Sequence, residues 1–66
     1  MAFTMTKPLN RILSETFRFF DRTQAFSFAA NAQEAMGVML GDDERFWVTT
    51  PANCGRLERM GYQRAD

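Results

Sequence analysis

Hydrophobic and polar positions follow two rhythms along this chain, and the clearer one lies in the C-terminal half. Arg45-Phe46-Trp47-Val48-Thr49-Thr50 is a β-branched and aromatic run with the composition of a buried strand. Thr50-Pro51 ends it and starts a helix, because the Thr50 hydroxyl can cap and proline at the first helical position gives up no useful N–H. The predicted helix runs from Pro51 to about Met60 and stops at Gly61, which suits the left-handed conformation that follows a helix. In that arrangement Tyr62 folds back on Leu57, and Tyr62 to Ala65 can add a last edge strand.

A second unit precedes it. Gln24-Ala25-Phe26-Ser27-Phe28 alternates with period two and reads as a strand. Asn31 followed by Glu34 resembles a capping box, and the helix it predicts over Ala32 to Leu40 places Ala32, Ala35, Met36, Met39 and Leu40 on one apolar stripe. Gly37 is the weak point, since glycine inside a helix costs about 1 kcal/mol relative to alanine. The rival reading makes Gly37 to Leu40 a strand, joined through Gly41-Asp42-Asp43-Glu44 in a hairpin to Phe46–Thr49. Capping and the alanines favour the helix.

Residues 8–20 fit two periods. As a helix, Leu9, Ile12, Leu13, Thr16, Phe17 and Phe20 share a face; as a strand, Thr16 to Phe20 pairs with Ala25 to Phe28 across Asp21-Arg22-Thr23-Gln24. Two strands alone make a marginal sheet, so a short helix over Pro8–Leu13 that yields to a strand near Glu15 reconciles them. The predicted fold is α+β, a small mixed sheet of about three short strands with two or three helices in the order (α)ββαβα. The alternative is an N-terminal helix followed by βαβα. In the first order, Phe26–Phe28 and Phe46–Val48 run parallel, joined by a right-handed crossover through the Asn31 helix. No repeat or linker divides the chain, so residues 1–66 read as one domain with 1–7 as a loose beginning.

Composition narrows the chemistry. The 66 residues include no histidine and one cysteine, Cys54. Neither a zinc site nor a disulfide can be built within one chain from that set, and a Ser–His or Cys–His nucleophile lacks its base. The chain is therefore expected to be non-enzymatic, without metal or cofactor. No stretch approaches the roughly 20 apolar residues of a membrane span and no secretory signal is legible, so the cytoplasm is the expected location. Eight basic and eight acidic residues leave a net charge of +0, which argues against general nucleic-acid affinity. The charges are segregated: residues 23–44 hold only Glu34, Asp42, Asp43 and Glu44, while both ends carry arginines.

Three candidate sites remain. Cys54, near the start of the last helix beside Arg56, has the setting of a reactive thiol. Its spacing with Leu57 and Met60 fits a small buried apolar residue better, as unbridged cysteines are among the most buried types. The N-terminus of that helix offers N–H groups to an anion, but no glycine-rich loop precedes it and Thr50 capping accounts for its residues. Arg45, Arg56, Arg59 and Arg64 form the candidate partner surface, for an acidic protein or for nucleic acid. A domain near 60 residues buries only about 60% of its unfolded surface, which leaves a thin margin of stability. Seven Phe, five Met, one Trp and one Tyr without a staple then favour dense packing or a homodimer. The leading expectation is a small interaction or regulatory module that self-associates; the alternative is a nucleic-acid-binding accessory protein using the C-terminal arginines.

Overall fold

The computed structural model describes residues 9–65. Helix α1 covers residues 9–14 and is followed by β1 (Phe17–Phe19), α2 (Arg22–Asn31), β2 (Gly37–Leu40), β3 (Phe46–Thr49), α3 (Pro51–Arg59) and β4 (Gln63–Arg64). The expected start of α1 at Pro8 and the loose residues 1–7 lie outside the described residues. The fold is α+β, in the order αβαββαβ, around a four-stranded sheet ordered β1-β3-β2-β4 in which every neighbouring pair is antiparallel.

Side-chain alternation on the central strands divides the interior in two. Trp47 of β3 and Met39 of β2 point to one face, where Ile12 of α1 and Cys54 and Leu57 of α3 complete the cluster. Val48 and Val38 point to the other, against Ala25 of α2, with Phe19, Phe26, Phe28, Ala29 and Phe46 around them. The sheet is thus covered on both faces, which is why β2 and β3 read as continuous apolar runs rather than alternating ones.

The C-terminal unit forms as its sequence predicts. Thr50 Oγ1 accepts from the Asn53 N–H at 3.3 Å, and Pro51 opens α3. At the other end Gly61 takes φ +103°, the Tyr62 N–H donates to the Leu57 carbonyl and the Gly61 N–H to that of Glu58, both at 3.0 Å. Those two bonds define a Schellman stop. Tyr62 packs back onto the cluster containing Leu57, and its ring lies 5.1 Å from that of Trp47. The final edge strand is present, shortened to Gln63–Arg64.

The second unit differs from its prediction. Gln24–Phe28 belongs to helix α2, so no parallel partner for β3 exists there and the right-handed crossover does not form. Asp21 is the cap: its carboxylate accepts from the Gln24 N–H at 3.1 Å. Ala25, Phe26, Phe28 and Ala29, at i, i+1, i+3 and i+4, make the apolar face. Asn31 ends this helix, donating to the Ser27 carbonyl, instead of starting another. Ala32–Leu40 is not a helix; the rival hairpin between Gly37–Leu40 and Phe46–Thr49 is the one that forms. Val38 and Met39, adjacent in sequence, are buried on opposite faces, a demand only a strand meets. Gly37 is required by that packing, because a Cβ there would stand 2.7 Å from Cys54 Sγ.

The hairpin turns through Asp42-Asp43-Glu44, closed by the Gly41 N–H to the Arg45 carbonyl at 2.8 Å, with Glu44 in the left-handed region at φ 64°. Asp43 Oδ1 accepts from the Arg45 N–H at 3.2 Å and from Trp47 Nε1 at 3.0 Å, so the indole donor is satisfied at the rim of the core.

Candidate functional site

Strand β1 uses one edge to pair with β3, in the register Phe17↔Val48, Arg18↔Trp47, Phe19↔Phe46. Its other edge is open among the described residues. Phe17 and Phe19 face α2, with ring centroids 4.6 and 5.3 Å from that of Phe28. Phe17 nevertheless stays 49% exposed, and Phe20, just past the strand, is 75% exposed. The Arg45 guanidinium lies over the Phe20 ring at 4.3 Å, and that of Arg22 over Phe26 at 4.9 Å. Such contacts contribute about 0.5–1 kcal/mol each at exposed sites. They hold arginines against aromatic faces without covering those rings.

The opposite edge of the sheet is built differently. β4 has two exposed residues, Gln63 and Arg64, and Arg64 Nε reaches Glu58 Oε1 at 3.4 Å. Short length and charge are the usual devices that keep a strand edge from pairing with another chain. β1 carries both in weaker form, being three residues long with Arg18 between two phenylalanines.

The four arginines expected to form a single surface are distributed over two places. Arg56 and Arg59 lie exposed on α3, where Arg56 Nη1 donates to Asn53 Oδ1 at 3.1 Å, and Arg64 joins them through Glu58. Arg45 sits at the β1 side of the sheet on Phe20. Sequence reasoning missed Phe17, Arg18, Phe20 and Arg22 as a group. The signal was Phe20: it shares the parity of Arg18 in a strand whose other parity carries Phe17 and Phe19, so it is an aromatic on the polar side.

A buried polar cluster joins the ends of three elements. Asn53, 1% exposed, donates from Nδ2 to Glu15 Oε1 and to Thr49 Oγ1, both at 3.1 Å, while the Thr49 hydroxyl donates to the Glu15 carbonyl at 3.3 Å. Among the described residues no buried side-chain nitrogen or oxygen lacks a partner, so this cluster is complete within the fold. The Cys54 thiol is fully buried against Gly37 and lies 3.9 Å from the Thr49 carbonyl. Thiolate chemistry needs partial exposure, which this packing denies. Among the described residues no group of three or more His, Cys, Asp or Glu could hold a metal ion, and no helix is long and apolar enough to cross a membrane.

Among the described residues, one ionisable side chain is clearly perturbed. Burial raises the Tyr62 phenol above its ordinary value, and its hydrogen bond to Asp42 Oδ2 at 3.0 Å raises it further, as do the charges of Asp42 and Asp43. This acidic rim flanks the hairpin.

No family model matches this chain, and no curated protein or solved structure is significantly similar to it.

Proposed function

We propose that this chain is a small non-enzymatic interaction module that self-associates through the aromatic edge of β1. One observation supports this above the others: Phe17 and Phe20, at 49% and 75% exposure, flank the strand edge that has no partner among the described residues. Fully burying a phenylalanine is worth about 1.5–3 kcal/mol, so withdrawing these two partly exposed rings from water contributes about 2–4 kcal/mol per copy. That is a large sum beside the about 3–10 kcal/mol expected for a domain of this size. The cytoplasm is the setting of this reading, supported by a single cysteine kept inside the core.

Sedimentation equilibrium over a concentration series tests it. The full chain is expected to dimerise reversibly, and Phe20→Lys combined with Phe17→Thr to shift it to monomer with the fold intact. A wild-type chain that remains monomeric throughout the micromolar range refutes the proposal. Nucleic-acid binding is the second reading, supported by the exposure of Arg56 and Arg59 on α3. It is weaker, because Arg64 is engaged by Glu58 and the net charge is +0. Retention on DNA or RNA at low salt that Arg56→Glu with Arg59→Glu abolishes would favour it instead.

A further inference from the structure

We infer that Trp47 and Tyr62 form a relay that carries an oxidising equivalent out of the core. When a one-electron oxidant such as the carbonate radical anion oxidises the buried indole, Tyr62 supplies the missing electron and passes its phenolic proton to Asp42. The inference is independent of the self-association reading, since it uses the hairpin rim and not the β1 edge.

Trp47 and Tyr62 are the only tryptophan and tyrosine in the chain, and they are in contact, with ring centroids 5.1 Å apart and planes inclined at 37°. At that separation the rings touch, so an electron passes between them without movement of the fold. Each ring also donates its one polar hydrogen to a carboxylate of the same turn. Trp47 Nε1 donates to Asp43 Oδ1 and the Tyr62 hydroxyl to Asp42 Oδ2, both at 3.0 Å. An ionised carboxylate only accepts, so Asp42 is placed to take the proton.

Loss of one electron leaves Trp47 as an indole radical cation, which the opposite charge of Asp43 stabilises at hydrogen-bond distance. Tyr62 then gives one electron to Trp47, and its hydroxyl proton moves along the existing hydrogen bond. The products are neutral Trp47, a neutral phenoxyl radical and protonated Asp42, so the summed charge of the three groups is unchanged. A phenol stripped of an electron is a far stronger acid than a carboxylic acid with its ordinary pKa of about 3.9, which makes the proton step downhill. Burial and the hydrogen bond to Asp42 hold the proton on Tyr62 at neutral pH, so electron loss is coupled to proton loss. Asp42 is exposed and releases the proton to water.

The relay protects the core. Trp47 is 2% exposed and packs with Met39 and Cys54, and oxygenation of its ring there would add bulk where none fits. At half-buried Tyr62 a small reductant such as ascorbate returns one hydrogen atom and restores the phenol.

Flash photoionisation of Trp47 in the full chain, at a wavelength Tyr62 does not absorb, tests this, with cobalt(III) hexammine taking up the ejected electron. The indolyl radical band is expected to decay as the phenoxyl band grows, at a rate independent of protein concentration and slower in heavy water. In Tyr62→Phe, which keeps a ring against Trp47, the indolyl radical outlives that of the wild type and no phenoxyl band appears. Asp42→Asn keeps an acceptor but no base, and slows transfer about tenfold or more. Under continuous illumination with ascorbate, the wild type keeps its Trp47 emission and Tyr62→Phe loses it. Indolyl decay without phenoxyl growth, or growth that scales with protein concentration, overturns the relay; these wild-type measurements do not depend on whether a variant folds. Transfer indifferent to heavy water and to Asp42→Asn overturns Asp42 as the proton acceptor. Equal loss of emission in wild type and Tyr62→Phe overturns the protective role.

Discussion

Replacing Asn53 with alanine and with aspartate tests whether the buried polar cluster works as a donor network or merely fills space. Asn53 is 1% exposed and makes three side-chain hydrogen bonds: two as donor, to Glu15 and Thr49, and one as acceptor, from Arg56. Asn53→Ala deletes all three. Glu15 and Arg56 are exposed and recover water, and Thr49 keeps its own bond to the Glu15 carbonyl. The loss is then about 2 kcal/mol, one bond between buried groups plus a small void. Asn53→Asp preserves the shape but turns the bond to Glu15 into a contact between two carboxylates and leaves the single Thr49 hydroxyl proton to serve either the new carboxylate or the Glu15 carbonyl. The helix N-terminus favours a negative charge there by about 0.3–1 kcal/mol, and Arg56 offsets part of the rest. A buried charge without adequate compensation costs about 3–5 kcal/mol, so the net loss at neutral pH is about 3–4 kcal/mol. Burial and Glu15 raise the folded-state pKa of the new acid, so the variant is least impaired below the ordinary aspartate value near 3.9 and loses stability as pH rises through the carboxylate range. Urea unfolding of both variants at pH 7, followed by the aspartate variant at descending pH against wild type, reads these differences. An aspartate variant as stable as the alanine variant at pH 7 would refute the network argument.

Two further predictions concern the hairpin and its rim. At Gly41 an added Cβ would collide with Nε1 and Cε2 of the Trp47 indole, so Gly41→Ala must displace the largest buried side chain and should cost about 1–3 kcal/mol. Trp47 is the only tryptophan, and its emission should shift to the red as the ring gains water; unchanged stability and emission would contradict this packing. Tyr62 is the only tyrosine, so absorbance at the phenolate band reports it alone, and its midpoint should lie above 10.0. Because the folded-state value is the higher one, its contribution to stability is complete below pH 10.0 and is lost as pH rises beyond it, and Asp42→Asn should move the midpoint down. A midpoint unmoved by that substitution would show that the hydrogen bond does not hold the proton.

The sequence alone determined those parts whose signals are local and agree with one another. Thr50-Pro51, the Leu57–Met60 turn, Gly61 and Tyr62 specify a helix with both ends fixed by their own side chains and backbone, and α3 forms as they require. The α+β class and the β3 strand were legible for the same reason. Asp21 followed by Gln24 was an equally local cap, obscured because Phe26 and Phe28 alternate as a strand would. Tertiary structure decided the rest. Val38 and Met39 became strand because two helical layers, on opposite faces, each needed one of them, and no local window contains α1, α2 and α3 together. The same covering of both faces left β1 at the margin, so Phe17 and Phe20, which share the apolar face of the helical reading, lie instead at the exposed edge. Periodicity reports which side of an element is apolar; strand order, which depends on contacts distant in sequence, determines whether anything lies against it.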